Sequence, residues 1–95
     1  MPENDRFRHQ LQVTFTSDNE DAYASLERVT GCARRTGVEL MSLRITRRGF
    51  HCHAWLRVGS DSRAAIDLLS NRLSAVIGLD DLLCCSDDVR VDSVD

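Results

Sequence analysis

The stretch VELMSLRITRRGFHCHAWLRV, residues 38–58, decides the fold. From Val38 to Thr46 apolar and polar residues alternate, with Met41, Leu43 and Ile45 on one face and Ser42, Arg44 and Thr46 on the other. That two-residue period is the mark of a half-buried strand. Arg47-Arg48-Gly49 reads as a short turn in which glycine supplies a positive φ. Phe50, Cys52, Ala54, Leu56 and Val58 then alternate with His51, His53, Trp55 and Arg57, so a second strand follows the first directly as a hairpin. Strands joined in this way lie next to each other and run antiparallel, and the segments on either side must supply whatever covers their apolar face.

Both flanks repeat one pattern. On the N-terminal side, Leu11, Val13 and Phe15 alternate with Gln10, Gln12, Thr14 and Thr16, which predicts a strand over residues 8–16. Ser17-Asp18-Asn19-Glu20-Asp21 offers cap-forming side chains and negative charge where the positive end of a helix begins. Tyr23, Leu26, Val29, Thr30 and Ala33 recur at helical spacing, and Arg34, Arg35 and Gly37 suit a helix end. On the C-terminal side, Gly59-Ser60-Asp61-Ser62 breaks the strand. Ala65, Ile66, Leu69, Leu73, Val76 and Ile77 then make an apolar helical stripe that Gly78 is placed to cap. Leu79 to Cys85 supplies a fourth strand, its start interrupted by Asp80 and Asp81.

The order is strand, helix, strand, strand, helix, strand. It predicts an α+β fold, a ferredoxin-like βαββαβ sandwich with a four-stranded antiparallel sheet and two helices on one face. Residues 8–85 form the domain, 1–7 a flexible N-terminus and 86–95 an acidic tail. Gln10, Gln12, Thr14, Ser42, Arg44, His51, His53, Trp55 and Arg57 fall on the face away from the helices, which is polar apart from one large aromatic. That face is open to water or to a partner.

Composition narrows the functional classes. Ninety-five residues, 42% of them apolar and 28% charged, suit one globular domain. A net charge of −3 lacks the basic footprint of a nucleic-acid or anionic-membrane surface. No apolar run approaches the roughly 20 residues that span a bilayer, and the start Met1-Pro2-Glu3-Asn4-Asp5-Arg6 has no apolar signal core, so the expected setting is the cytoplasm. Cys32, Cys52, Cys84 and Cys85 match no Cys-x-x-Cys framework and read as reduced thiols. In the expected sheet Cys52 and Cys84 stand on strands separated by a third, about 9 to 10 Å apart and beyond disulfide reach.

No catalytic set converges. His51 and His53 share a strand face, yet zinc normally takes at least three protein ligands and a third is not evident, so no metal site is assigned. Cys84 and Cys85 are adjacent on a strand, point to opposite faces and lack the spacer of thioredoxin-type redox pairs. A phosphate-handling loop after the first strand would be opposed by Asp18, Glu20 and Asp21. An RNA-recognition sheet would need a basic-glycine-aromatic motif of which Arg48-Gly49-Phe50 is only a fragment. Trp55, with Arg57 beside it, is the expected partner contact, because a large amphipathic ring on an open face suits an interface.

Several short stretches resemble one family. Leu26-Glu27-Arg28-Val29, Ala33-Arg34-Arg35-Thr36-Gly37 and Met41-Ser42-Leu43 are similar to the first helix and second strand of acetolactate synthase (acetohydroxyacid synthase) small regulatory subunits, which are ACT domains. His53-Ala54-Trp55-Leu56-Arg57-Val58 resembles the third strand of that family, and Ile66-Asp67-Leu68-Leu69 with Arg72-Leu73 its second helix. The resemblance spans about residues 8–85, and the length is closest to the short single-domain forms.

The resemblance implies a homodimer, often formed by joining sheets edge to edge, that binds and activates the large catalytic subunit of a thiamine-diphosphate-dependent transferase in branched-chain amino-acid biosynthesis. Thiamine diphosphate, FAD and Mg belong to that catalytic partner, and the small subunit contributes no catalytic group. Valine-sensing members carry an Asn-x-x-Gly-Val-Leu loop after the first strand. Here the loop is Asn19-Glu20-Asp21-Ala22-Tyr23, so Asn19 and Ala22 are the effector-binding positions that the family motif points to. The missing glycine and the carboxylates around it make the chain resemble the valine-insensitive type. The alternatives are a stand-alone ACT sensor binding a small amino acid at a dimer interface and a ferredoxin-like domain with an unrelated structural role.

Overall fold

Two ten-residue strands, β1 (His9–Asp18) and β3 (His51–Ser60), pair antiparallel along their full length, from His9 opposite Ser60 to Asp18 opposite His51. The computed structural model describes residues 7–88. Leu11, Val13 and Phe15 of β1 and Ala54, Leu56 and Val58 of β3 fall on one face of this pair, and all six are buried. Around the pair stand β2 (Glu39–Arg48) on the outer side of β3 and β4 (Asp80–Asp88) on the outer side of β1, giving the sheet order β2-β3-β1-β4, antiparallel throughout. Two helices, α1 (Ala22–Thr36) and α2 (Arg63–Leu73), follow β1 and β3. The architecture is the ferredoxin-like α+β sandwich that the sequence predicts.

The helices join the apolar face in one core. Val29, Cys32 and Ala33 of α1 and Ile66, Leu69 and Leu73 of α2 are buried in the same cluster as the six strand residues. Gly37 ends α1 at φ 83°, receiving the left-handed conformation expected of it, with Arg34 and Arg35 in the last turn. Ser62 caps α2, its hydroxyl accepting from the Ala65 amide at 3.2 Å. One polar contact runs through the core edge: the hydroxyls of Ser17 and Ser25 lie 3.0 Å apart, both residues being buried. Ser25 therefore takes a core position on α1 that apolar periodicity alone would not assign to it.

The local differences from the sequence reading have clear causes. Asp21 precedes α1 with no side-chain cap, because a 3-10 turn over Asn19–Asp21 occupies the expected capping stretch. Tyr23, expected on the apolar stripe, points outward and is 85% exposed. α2 ends at Leu73, so Val76 and Ile77 lie beyond it in a loop and Gly78, at φ 94°, shapes that loop and not the helix end. Phe50 belongs to the β2–β3 turn and not to β3: Gly49 (φ 59°) and Phe50 are its two central residues, between Arg48 and the paired His51.

The register of β2 shifts between Leu40 and Ser42. The turn sets Leu43 and Ile45 opposite the core residues Leu56 and Ala54, and the shift sets Leu40 opposite Val58. It sends Met41 to the other face, where its sulfur lies against the space above Gly59. Of the expected terminal segments 1–7 and 86–95, residues 1–6 and 89–95 lie outside the described residues, and β4 runs past Cys85 to Asp88. Among the described residues no helix is long and apolar enough to cross a membrane.

Core and edge leucines should differ sharply in cost. Leu69→Ala is expected to destabilise the fold by about 2–5 kcal/mol, because it empties a fully buried site. Leu43→Ala, on a residue already 41% exposed, should cost less than about half of that, as read by urea denaturation of the two variants at equal concentration.

Candidate functional site

Two surfaces carry the residues that the sequence singles out. The first is a groove between the start of α1 and the edge strand β2. The helix-facing side chains of that strand are incompletely covered: Leu40, Leu43 and Ile45 are all exposed. The opening, about 340 Å³, is lined by Asn19, Ala22, Tyr23, Leu26, Ile45, Arg47 and Cys52. Asn19 and Ala22, the two positions suggested by the loop motif, thus share one cleft. The sequence reading missed Ile45, Arg47 and Cys52 there, because their approach to α1 depends on packing between segments distant in the chain.

Asn19 is already engaged. Its backbone amide donates to the Phe50 carbonyl at 3.0 Å, and its side-chain nitrogen donates to the Gly49 carbonyl at 2.9 Å. Its side-chain oxygen accepts from the Cys52 thiol at 2.9 Å. The residue pins the β2–β3 turn to the loop leaving β1. The charge of the groove also differs from the sequence estimate. Asp18 is drawn to His51, Oδ1 to Nδ1 at 3.3 Å, while Arg47 brings a guanidinium into the lining. A carboxylate entering the groove meets a cation there and not only Glu20 and Asp21.

The second surface is the open face of the sheet. Arg44, Trp55, Thr14 and Leu83 stand directly opposite one another across all four strands, with Ser42, Arg57, Gln12 and Cys85 in the next row. The guanidinium carbons of Arg44 and Arg57 each lie 5.9 Å from the centre of the Trp55 ring, within cation–π range. Arg57 also donates to Gln10 at 2.9 Å and to Gln12 at 3.3 Å. Trp55 and Arg57 are brought together as expected. Arg44 is the member that the sequence reading did not attach to them: a two-residue turn at Gly49-Phe50 sets it opposite Trp55, whereas a turn at Arg47-Arg48-Gly49 does not.

His51 and His53 share the open face, and among the described residues no group of three His, Cys, Asp or Glu side chains is placed to hold a metal ion. Cys84 faces the core and Cys85 the open face, from opposite sides of β4. Burial pushes the Cys84 thiol above its usual range, against a lowering hydrogen bond with Ser70. β1 stands between the strands that carry Cys52 and Cys84, as the spacing argument requires.

No family model matches the chain, and no curated protein matches it in sequence. Solved structures do match it in shape. The ACT domain from GTP pyrophosphokinase of Chlorobium tepidum is 9% identical, with a TM-score of 0.61 over 80% of this chain and 96% of that one. The two share the ferredoxin-like fold. The C-terminal domain of the MgtC protein from Mycobacterium tuberculosis superposes on this chain with a TM-score of 0.67 at 12% identity, covering 87% and 92% of the two chains. The de novo designed protein Foldit4 does so at 0.74 and 14%, covering 86% and 98%. At 9–14% identity these likenesses show the fold alone, and this fold hosts many functions.

Asn19→Ala should remove the side-chain tie to the hairpin turn at a cost of about 1 kcal/mol. The same change leaves the Cys52 thiol without its acceptor, and faster alkylation of Cys52 by iodoacetamide, followed by peptide mass spectrometry, is the expected readout.

Proposed function

We propose that this chain is a non-catalytic regulatory domain that forms a homodimer through β2 and, as a small subunit, binds and activates the large catalytic subunit of an acetolactate synthase in the cytoplasm. The observation that carries the dimer is the state of β2. It is paired on one side only among the described residues, and it exposes Leu40, Leu43 and Ile45 beside the groove. An unpaired ten-residue edge with an uncovered apolar row is a template for a second strand, and an antiparallel copy of β2 satisfies both its backbone groups and its side chains. The family assignment is supported by the resemblance of residues 26–29, 33–37, 41–43, 53–58, 66–69 and 72–73, to which the ACT-like fold adds. Thiamine diphosphate, FAD and Mg are then the partner's, and Trp55 with Arg57 is the surface offered to it.

A second reading, a stand-alone sensor of a small amino acid, draws on one observation: the groove joins Asn19 and Ala22 to Arg47, a cation suited to an effector carboxylate. Adding valine to the activity assay separates it from the first reading.

The deciding measurement is acetolactate formation from pyruvate by the large subunit of the same organism, titrated with this protein with and without valine. A rise that saturates near an equimolar ratio and ignores valine is the expected outcome; absence of any rise removes the acetolactate synthase assignment. The dimer is tested separately by sedimentation. Ile45→Glu sets a charge in the apolar row of β2 and is expected to weaken self-association by about tenfold or more while the monomer keeps its melting temperature to within a few degrees.

A further inference from the structure

The open face of the sheet gathers Arg44 and Arg57 at its centre, with carboxylates, Arg48, His51 and His53 toward its rim. Arg44 and Arg57 both lie over Trp55, and among the described residues neither has a carboxylate within ion-pairing distance. Arg57 is held by Gln10 and Gln12, two neutral amides that orient the guanidinium without neutralising it. The acidic groups of the same face stand toward its edges: Asp18 is taken by His51, Glu39 is opposite Gly59 at one corner, Asp80 and Asp81 flank Thr16 at the β4 edge, and Asp87 is opposite Gln10. Leu83, 58% exposed, completes the row that holds Arg44 and Trp55.

Two oriented, uncompensated guanidiniums around a half-buried indole, with an apolar neighbour and a polar surround, have the composition of an interface centre. The rim decides what fits it. A continuous polyanion such as a nucleic acid strand would pass the carboxylates at the edges of the face as well as the corner Arg48, on a chain whose net charge is −3. A second copy laid face to face would set arginine against arginine. Discrete carboxylates on a folded partner reach the centre and leave the rim in water.

We propose that the open face docks an acidic protein surface, with Arg44 and Arg57 receiving its carboxylates and Trp55 covering the apolar part of the contact. The inference rests on the reading of this chain as a partner-binding domain and adds the chemistry of the partner's patch. The guanidiniums, planar and weakly hydrated, are suited to paired carboxylates in a way that lysines are not. Binding here should weaken with salt and owe much of its association rate to steering.

Trp55 is the only tryptophan in the chain, so its fluorescence reports on this face alone. The intact protein is titrated with a short peptide of alternating Glu and Ser, with its Lys and Ser counterpart, with oligothymidylate, and with the large acetolactate synthase subunit. A saturable change in emission with the Glu peptide, absent with the Lys peptide and lost at high salt, is the expected result. It should require about tenfold more peptide for Arg44→Gln, an exposed residue whose loss leaves the core untouched, and similarly for Arg57→Gln at unchanged melting temperature. No change with the Glu peptide, an equal change with the Lys peptide, or a stronger one with oligothymidylate would overturn the proposal. A response to the Glu peptide without any binding of the large subunit keeps the acidic docking face and removes the acetolactate synthase assignment. Binding of the large subunit that is equally tight for wild type and both variants, with no response to the Glu peptide, does the reverse.

Discussion

The unbroken pairing of β1 with β3 is the constraint on which the other parts of this molecule depend. Because side chains alternate across a strand, ten residues in register set Leu11, Val13 and Phe15 beside Val58, Leu56 and Ala54 on one face, and Gln12 and Thr14 beside Arg57 and Trp55 on the other. A slip of one residue would exchange the two faces, burying glutamine and arginine and exposing the whole apolar set. That cost locks the register. Both helices then have one surface to cover, and the central seam made by Val29, Leu69 and the inner strand residues is closed to water.

The same arrangement explains why function gathers at the periphery. β1 and β3 are flanked on both sides, so neither offers a free backbone edge. Among the described residues β2 is paired once, and its apolar residues Leu40, Leu43 and Ile45 are only partly covered. The groove beside it lies between the start of α1 and the end of β2, lined from both by Ala22, Tyr23, Leu26, Ile45 and Arg47. Asn19 holds the hairpin that carries β2 to the loop before α1, so the shape of the groove and the position of the edge are coupled through one amide. On the other side of the sheet, side chains that no helix covers are free to sort by charge, and the arginines around Trp55 do so.

Much of this was legible in the residues. Alternation in 8–16 and 38–58, helical spacing in the two segments that follow the first and third strands, and the punctuation at Gly37 and Ser62 are local properties, and local sterics and hydrogen bonding decide them. The membership of the open face could be read from the period of two once the strands were known. Less legible were positions where one contact overrides a pattern. Tyr23 fits the helical stripe in sequence but points into solvent, and Ser25 does not fit it yet is buried against Ser17. Val76 and Ile77 continue the periodicity of α2 past its end, because the chain must turn there to enter β4.

The sequence by itself determined the order and type of the elements and the division of each strand into an apolar and a polar face, since both follow from interactions among residues near in the chain. Only the tertiary structure decided which residues meet across it. The turn at Gly49-Phe50 and the register shift at Met41 set Arg44 opposite Trp55 and Leu40 opposite Val58. The packing of α1 against the sheet put Arg47 and Cys52 beside Asn19 and Ala22 in one groove. Those meetings depend on how rigid layers stack and how far a helix stands from a sheet edge. Such quantities are set by the summed packing of the whole core and by no single stretch of the chain.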